Sequence, residues 1–443
     1  MNKPNVLLLA DTAHPAQAVI DHIRAITSSD KIIWHILNPI TFKIIDKIDF
    51  SIFDAIGIHY SIKPYNNYYL SDLLKKRIAS FQGIKFLFLQ DEYQKVNQVQ
   101  EYMYTLGFHL LFTLVNCNIV NKAYPDPRLS GLKRVTVLTG YVQDYMKSII
   151  SLPVSERLID VSYRSRRCEY WLGTLSHDKE RIARGFTHYA QGKRLKLDIS
   201  LEESARLYGE KWLQLLKNSK AVLGTESGAS IWDFDDSIRK KTNRFLRKNK
   251  GANFDSVYEQ VLKPFDGNIL YNAISPRVFE AAATKTPMIM FPGEYSGICI
   301  PDKHYIPLEK NFSNIEEVID KLKDFCFLQA LADRTYNDLI VSDRYSQHKF
   351  SDLIANELLA IIKCRTKSIN KIDLLSKIEN TRKKYKNLNR FRCFCTEANF
   401  IFCNFFKLLF NPKYTFFTNV KLLAAGMKRY LSYLIPRLTR KRL

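Results

Sequence analysis

The chain lacks several features of secreted and membrane-spanning proteins. Only eight of its 443 residues are cysteine, too few for a disulfide framework in a chain of this length. No stretch offers about 18 uninterrupted apolar residues, so no membrane-spanning helix is expected. The first residues, MNKPNVLLLADTAHPAQ, lack the long apolar region and the small-residue cleavage site of a signal peptide. These absences favour a cytoplasmic protein.

Acidic residues are scarce relative to basic ones. The sequence has 67 Lys and Arg against 44 Asp and Glu, which is a formal net charge of +23. Such an excess indicates an anionic partner: a phosphorylated ligand, an acidic membrane face or nucleic acid. Nineteen basic and three acidic residues fall within 365–443, so +16 of the charge lies there. The body is mildly basic and carries a polybasic tail.

Internal repeats and low-complexity tracts are also missing, and short apolar runs alternate with helical patterns instead. Six runs in the first third predict strands: NVLLLA (5–10), KIIWHIL (31–37), FDAIGIHYS (53–61), KFLFLQ (85–90), GFHLLFTLV (107–115) and RVTVLTG (134–140). Continuous apolar strands separated by helices are typical of a parallel sheet covered on both faces. Loops at the carboxyl ends of such strands gather ligands at one edge.

The same pattern restarts at LIDVSYR, residues 158–164. We therefore predict an α/β protein with two domains, 1–150 and 151–345, followed by a basic, amphipathic helical tail at 346–443. Ser200, followed three residues later by Glu203, predicts a capping box at the start of a helix in the second domain.

The stretch SPRVFEAAATKTPMIMF, residues 275–291, starts as a helix and ends as a buried strand. Ser275 is a typical N-cap, and Pro276 suits the first helical position. The backbone N–H groups at this helix start, together with Arg277, would attract an anion. Glu280 lies one turn further on, where a carboxylate can accept hydrogen bonds from sugar hydroxyls. The alternative is a capped helix whose Glu280 is solvated or paired with Arg277.

Two other stretches of the second domain have residues suited to a phosphorylated ligand. The stretch LGTESG follows an apolar strand, and its small residues and backbone amides suit close approach to a phosphate. Basic residues crowd SYRSRRCEYWLGTLSHDK, and arginine forks suit a pyrophosphate. The alternatives are an ordinary strand-to-helix turn and a solvated basic surface. The candidate ligand-binding residues are Arg164, Lys179, Gly224, Thr225, Glu226, Ser227 and Gly228.

Together these three stretches resemble the donor-binding end of nucleotide-sugar glycosyltransferases with the GT-B fold. The resemblance is to group 1, family 4-like enzymes and spore-maturation glycosyltransferase-like proteins, and it covers residues 157–345. It implies two Rossmann-like domains facing a cleft. It further implies that Glu280 holds the donor ribose, that 224–230 is the donor loop, and that Arg164 and Lys179 bind phosphate.

The chain departs from the family pattern at two positions. Asn272 stands where the family has a second acidic residue, and Lys285 stands where a glycine commonly precedes the TPVI-like segment. Both departures favour an alternative function, a non-catalytic protein that binds sugar nucleotides or glycans. A basic scaffold at a membrane surface is a further alternative.

If the protein is a glycosyltransferase of this kind, catalysis needs a base on the acceptor side but no cofactor. Fixed cations can stabilise the departing nucleoside diphosphate, so we expect a metal-independent reaction in which the nucleotide sugar is a substrate. The segment DFDD, 233–236, imitates a metal-binding motif but follows a donor-like loop, so no metal site is assigned. Four residues at predicted strand ends of the first domain are candidate bases, and the sequence does not choose among them: His14, His59, Asp91 and Glu92.

The tail interleaves aromatic and basic residues, as interfacial helices do. We expect it to hold the protein on an anionic membrane surface, on the cytoplasmic face, where lipid-linked acceptors reside. The alternative is a helical pair packed on the body. No recognised nucleic-acid-binding fold accompanies the tail, so nucleic acid is not expected as a partner. The predicted function is transfer of a sugar from a nucleotide donor to a cell-surface glycan or a lipid-linked oligosaccharide.

Overall fold

The computed structural model describes residues 3–362 and 371–409, and its first domain is built on a six-stranded parallel sheet. The strand order is β2-β1-β3-β4-β5-β6. The first strand is buried at every position, as expected for a strand covered on both faces. The strands are β1 (Asn5–Leu9), β2 (Ile33–Leu37), β3 (Ala55–Ile58), β4 (Ile84–Phe88), β5 (Leu110–Thr113) and β6 (Lys133–Thr136).

The second domain has its own parallel sheet, with strand order β13-β12-β9-β7-β8, and a small antiparallel pair, β10-β11. The strands are β7 (Ile159–Arg164), β8 (Leu197–Ser200), β9 (Ser219–Gly224), β10 (Ser227–Ala229), β11 (Tyr271–Ala273), β12 (Met288–Met290) and β13 (Ile306–Pro307). The predicted fold class, two Rossmann-like α/β domains each built on a parallel sheet, is confirmed.

Helices cover both sheets and continue after the second one. They are α1 (Gln17–Ile26), α2 (Asp72–Ala79), α3 (Val96–Leu106), α4 (Val120–Ala123), α5 (Thr174–Tyr189), α6 (Glu210–Lys217), α7 (Ser237–Lys248), α8 (Phe254–Val257), α9 (Pro276–Ala283), α10 (Ile315–Lys323), α11 (Phe325–Tyr336), α12 (Gln347–Ile361), α13 (Lys371–Lys384) and α14 (Lys386–Leu409). None of these described helices is long and apolar enough to cross a bilayer.

The helix predicted to start at Ser200 begins ten residues later. Ser200 ends β8 and pairs with Arg164 of β7, so its backbone is extended and belongs to the sheet. Helix α6 starts only at Glu210, after Gly209 has turned the chain at positive φ. The predicted capping box is therefore wrong, because pairing with β7 outweighs a local hydrogen bond between Ser200 and Glu203.

The loop between β10 and α7 fastens the second domain to the first. The indole Nε1 of Trp232 donates to the carbonyl of Ala123 at 3.2 Å. The backbone N–H of Asp233 donates to the carbonyl of Tyr93 at 2.9 Å. Trp232 is fully buried in the core of the first sheet. This loop holds the two domains in contact beside the carboxyl edge of the first sheet.

The chain returns to the first domain after the second sheet. Helix α12 buries Phe350, Ile354 and Leu358 against the first sheet, and Phe350 stacks on Tyr141 with ring centroids 3.9 Å apart. Helix α13 adds a buried Leu374 to the same core. The first part of the expected tail, residues 347–361, is thus a core helix. Residues 363–370 and 410–443, which also belong to the expected tail, lie outside the described residues.

Candidate functional site

A cavity of about 300 Å³ opens at the carboxyl end of the second sheet. Its walls come from the ends of β7, β9 and β12 and from the helices α5, α6 and α9. The predicted residues that line it are Lys179, Gly224, Thr225, Ser227, Ser275 and Arg277. Parallel strands place loops of distant sequence at one edge, which explains why these residues meet.

Four cations line this cavity: Arg166, Lys179, Arg206 and Arg277. Arg206 pairs with Glu203 at 3.0 Å, so the other three are the candidates for binding a ligand. Lys179 forms no hydrogen bond or ion pair with any described residue, although its side chain is partly buried. Burial lowers the pKa of Lys179, and the charges of Arg277 and Arg166 lower it further. A desolvated ammonium without a partner is unfavourable unless a ligand supplies the counter-charge. The cavity is therefore suited to an anion.

Arg277 is held in place by contacts with the second domain. Its Nη1 donates to the backbone carbonyl of Arg164, and its guanidinium lies over the Trp212 ring, 4.8 Å from the centroid. Arg166 is exposed and pairs with no described carboxylate. One arginine is therefore fixed in position and the other is free to turn toward a ligand.

Glu280 lies beside the cavity on α9. The indole Nε1 of Trp212 donates to Glu280 Oε2 at 2.7 Å. Burial raises the pKa of Glu280, while the Trp212 hydrogen bond and the charge of Arg277 oppose that change. The carboxylate, indole and guanidinium form one contiguous group. Trp212 was not predicted from the sequence, since an aromatic residue on an amphipathic helix usually belongs to the core.

The start of α9 matches its sequence prediction. The Ser275 hydroxyl accepts from the backbone N–H of Arg277 at 3.4 Å, and Pro276 is the first helical residue. A Cβ added at Gly140, in the segment that follows the first sheet, would lie 3.0 Å from Pro276. The helix therefore begins where the two domains touch.

The glycine loop has a structural role as well as a place in the cavity wall. A Cβ at Gly228, whose φ is +128°, would lie 1.8 Å from the carbonyl of Tyr271. The glycine is required there by the close pairing of β10 with β11. Gly224 ends β9, where an added Cβ would lie 2.9 Å from the sulfur of Met290. Gly228 is therefore explained by close approach of the backbone, and Gly224 by packing against the Met290 side chain.

Glu226 points away from the cations and holds a neighbouring loop. Its Oε1 accepts from the backbone N–H groups of Glu294 and Tyr295 at 3.0 and 2.8 Å, and from Asn272 Nδ2 at 3.0 Å. Burial raises the pKa of Glu226, while the hydrogen bonds from Tyr295 and Asn272 lower it. Asn272, the departure from the family pattern, serves as a donor in this network.

Arg164, a predicted phosphate ligand, is occupied elsewhere. Its Nη2 pairs with Asp198 Oδ1 at 2.7 Å, and its Nε donates to the carbonyl of Ala205 at 3.1 Å. Successive residues after a strand diverge in direction, and in the structure Arg166 faces the cavity instead.

Two of the four candidate bases are enclosed in the first domain. His59 is fully buried, its Nε2 lies 2.9 Å from His22 Nδ1, and burial lowers its pKa. Glu92 accepts from Thr113 Oγ1 at 2.6 Å and from the hydroxyl of Tyr124. Burial raises the pKa of Glu92 to about 7. The structure brings neither residue to the cavity.

The other two candidates are more accessible. Asp91 is exposed just after β4, has φ of +54°, and accepts from the Tyr93 hydroxyl at 3.2 Å. Asp91 does not line the cavity, but its charge acts to raise the pKa of Lys179, which does. His14 is partly exposed, and its Nδ1 accepts from the backbone N–H of Ala16 at 3.1 Å. Asp91 is thus the one of the four candidates whose charge acts on a cation of the cavity.

The segment DFDD is used to start a helix. Asp233 is buried and accepts from the backbone N–H of Arg239 at 2.9 Å, and Asp235 accepts from that of Ser237 at 2.9 Å. Asp236 pairs with Arg239 at 2.8 Å. Within residues 3–362 and 371–409, no group of three or more His, Cys, Asp or Glu side chains has an arrangement that could hold a metal ion.

No protein-family model and no curated protein sequence matches the chain. Solved structures of similar architecture include an alpha-glucosyltransferase with UDP-glucose and DNA containing an abasic site, at 10% identity and TM-score 0.48, covering 82% of this chain and 100% of that one. They also include T4 phage BGT with UDP-glucose, at 12% identity and TM-score 0.43, covering 82% and 100%. Anabaena HepE with UDP-glucose has 12% identity and TM-score 0.44, covering 81% and 100%.

The alpha-glucosyltransferase structures among these neighbours correct one expectation. The predicted absence of a nucleic-acid partner is wrong as an exclusion, because alpha-glucosyltransferase structures in this group contain DNA together with UDP or UDP-glucose. The narrower resemblance to group 1 and spore-maturation enzymes stays a prediction.

Proposed function

We propose that the protein is a glycosyltransferase that moves a sugar from a nucleotide-sugar donor to an acceptor hydroxyl. The observation that carries the proposal is Lys179, a partly buried ammonium without a partner among the described residues, placed with Arg166 and Arg277 around one cavity. Three converging cations suit a diphosphate far better than a single carboxylate.

The nucleoside would occupy the part of the cavity beside Glu280. Its carboxylate already accepts one hydrogen bond, from Trp212, and has further acceptor capacity for ribose hydroxyls. The raised pKa of Glu280 matches a carboxylate prepared for hydrogen-bond donors that a ligand brings. The backbone amides at the start of α9 would add a partial positive charge near the phosphates.

The transfer step would use the cations on the leaving group and Asp91 on the acceptor. As the bond between the anomeric carbon and the diphosphate oxygen breaks, the electron pair moves to that oxygen, where Lys179 and Arg277 stabilise it. The acceptor oxygen bonds to the anomeric carbon and loses its proton to the Asp91 carboxylate. The step as proposed needs no metal ion.

For the acceptor we propose a cell-surface glycan or a lipid-linked oligosaccharide. The support is the exposed aromatic and basic surface of α14, which suits a protein working at a membrane where such acceptors lie. The location at the cytoplasmic face of a membrane is part of the same proposal.

A second candidate function, binding of a sugar nucleotide without turnover, has one observation in its favour. Asn272 and Glu226 form a hydrogen bond with each other, and Glu226 also accepts one from the 294–295 loop. Both side chains are therefore engaged within the protein and not available to recognise the donor sugar. A binder and an enzyme share the nucleotide site and differ in whether the donor is consumed.

The first test is thermal stabilisation of the full chain by a panel of nucleotide sugars and their nucleoside diphosphates. A ligand at a hundred times its Kd adds about 2.7 kcal/mol to the free energy of unfolding, which raises the Tm by several degrees. We expect one base class to do so in the wild type and in Lys193→Met, a surface control, but not in Lys179→Met.

Consumption of the stabilising donor, followed by proton NMR, then separates the two functions. Donor consumption that Asp91→Asn abolishes supports the enzyme. A stabilising donor that survives intact with every acceptor class offered, including glycans, lipid-linked saccharides and DNA, would favour the binding protein. No stabilisation by any nucleotide sugar would contradict both.

A further inference from the structure

Helix α14 has two opposite faces with different chemistry. Positions three and four apart lie on one side of a helix. One side carries Asn389, Arg392, Thr396 and Phe400, and the other carries Phe391, Phe394, Ile401 and Phe402. The two sets lie about half a turn apart on the helix circumference. We call the second set the outer face of α14.

The first face of α14 is fastened to the first domain by specific hydrogen bonds. Asn389 Oδ1 accepts from the backbone N–H of Lys43 at 2.6 Å, and Asn389 Nδ2 donates to the carbonyl of Thr41 at 3.1 Å. Arg392 Nη1 pairs with the buried carboxylate of Asp46 at 2.5 Å. These contacts set the rotation of the helix about its axis, so the direction of the outer face is determined by the fold.

The outer face is apolar and largely exposed to solvent. The exposed fractions of Phe391, Phe394 and Phe402 are 64%, 71% and 63%, and that of Ile401 is 40%. Three phenylalanines this exposed on one face of one helix are unusual for a monomeric protein surface, and such patches mark interaction sites. Because the opposite face already packs on the protein, the outer face is not the remainder of a core.

The charge around the outer face has one sign. Exposed Lys383 and Lys384 end α13, and exposed Lys386 and Arg390 lie in the first turns of α14. From residue 383 to residue 443 the sequence has fourteen Lys and Arg and a single carboxylate, that of Glu397, which accepts from the Tyr68 hydroxyl on the docked face. A second copy of the chain, or its own residues 410–443, would bring more positive charge to the same place. The complementary occupant is anionic.

We propose that the outer face of α14 is a docking surface for an anionic lipid bilayer. The phenylalanines would enter the boundary between headgroups and acyl chains while the flanking basic residues contact lipid phosphates. The docked face orients the first domain against the membrane. This inference deepens the membrane location in the proposed function. Its failure is distinguishable from failure of the glycosyltransferase proposal, since none of these residues lines the cavity and vesicle binding is measured without a nucleotide.

The test uses the full chain with vesicles of equimolar phosphatidylcholine and phosphatidylglycerol, read by co-sedimentation. We expect the triple variant Phe391→Ser, Phe394→Ser and Phe402→Ser to lower the partition coefficient by about tenfold or more. The matched control replaces three other exposed apolar residues, Ile150, Leu152 and Leu158, by serine and should bind as the wild type does. Replacing the four basic residues by serine should weaken binding to these vesicles and leave the weaker binding to pure phosphatidylcholine unchanged.

A second measurement guards against misfolding of the triple variant. Phe394→Trp should show a blue-shifted emission with vesicles and quenching by lipids brominated on the acyl chain. Undiminished vesicle binding by a folded triple variant would overturn the proposal. An absence of quenching by brominated lipids in Phe394→Trp would also overturn it. So would a dimer that the serine substitutions dissociate, or oligonucleotide binding that those substitutions abolish while vesicle binding persists. Nucleotide binding should be unchanged in every variant.

Discussion

The carboxyl edges of the two sheets have similar topology but opposite electrostatic character. At the first edge, polar groups satisfy one another: His59 with His22, and Glu92 with Thr113 and Tyr124. At the second edge, Lys179 has no partner among the described residues. The first edge is complete without a ligand, and the second is not.

The difference separates a structural role from a ligand-binding one. A buried polar group that is fully hydrogen-bonded rigidifies the fold, whereas an unpaired buried charge lowers its stability. An anion bound next to such a charge would supply the missing counter-charge and offset the loss of stability. Asp91 is the exception on the first edge, because it is exposed and its charge acts on Lys179 of the second.

The largest expected effect is that of replacing Asp91, the proposed general base. We predict that Asp91→Asn lowers kcat by about 10²–10⁴-fold, the usual contribution of a general base, and leaves nucleotide affinity unchanged. Donor consumption and calorimetry measure the two quantities. His14→Gln, the competing candidate, should lose less than about tenfold. The reverse ranking would move the base to His14.

Lys179→Met should separate binding from stability. Removing the ammonium should weaken binding of a nucleoside diphosphate by about 3 kcal/mol, because the ligand's charge loses its buried partner. The unliganded variant should be more stable by about 1 kcal/mol, since burial lowers the pKa of Lys179 and its charged form carries a desolvation cost. Calorimetry and denaturant unfolding measure these changes. A variant that loses stability and keeps affinity would contradict an anion site.

The buried Glu92 at the first edge predicts how the free energy of unfolding changes with pH. Its pKa is about 7 in the folded protein, above its ordinary value, so the folded state retains a proton that the unfolded state releases. Stability should therefore fall as pH rises from about 4.5 to about 7, by about 3 kcal/mol in total. Glu92→Gln has no such group and should lack this loss. Guanidinium unfolding at pH 5 and pH 8 gives the change in unfolding free energy for the wild type and for Glu92→Gln. Equal changes in the two proteins would show that Glu92 is ionised when folded.

Glu280→Ala should weaken nucleoside diphosphate binding by about 1.5–3 kcal/mol, the contribution of hydrogen bonds to a charged group. Glu280→Gln is the matched variant, since it retains an acceptor for Trp212. The raised pKa of Glu280 predicts that wild-type affinity begins to fall at a higher pH on acidification than it would for an ordinary glutamate. Calorimetry across pH measures both effects. Unchanged affinity in folded Glu280→Ala would remove α9 from the site.

The smallest expected effect is that of metal removal. We predict that EDTA leaves donor consumption intact, and that Asp235→Ala costs only about 0.5–1 kcal/mol of stability through a lost helix-start hydrogen bond. Loss of turnover in EDTA, restored by manganese, would show that the DFDD segment or another site binds a catalytic ion.

Local patterns in the sequence were sufficient for part of the site. Ser275 and Pro276 begin α9 as predicted, because capping depends on a few neighbouring residues. Lys179 and Arg277, two of the predicted ligand-binding residues, both line the cavity, and their role in binding stays a prediction. Trp212 could not be found this way, since its role depends on Glu280, which lies 68 residues away in sequence. Residues far apart in sequence meet only through the sheet.

Arginines 164 and 166 show the same limit at closer range. The sequence places both at the end of one strand, but Asp198 on the neighbouring strand attracts Arg164 and leaves Arg166 to the cavity. The His59 and Glu92 predictions share this limit. Their strand ends were predicted correctly, whereas the buried partners that enclose them, His22 and Tyr124, are distant in sequence.

The sequence by itself determined the two α/β domains, the capped start of α9 and the concentration of positive charge toward the C-terminus. These follow from periodicity, local hydrogen bonding and composition, which need no tertiary contacts. The tertiary structure alone decided which charges stay unpaired, which face of α14 is exposed, and that α12 belongs to the first domain's core. Each of these depends on the partner a side chain meets across the fold, and a buried charge or an exposed phenylalanine is defined only by what does or does not cover it.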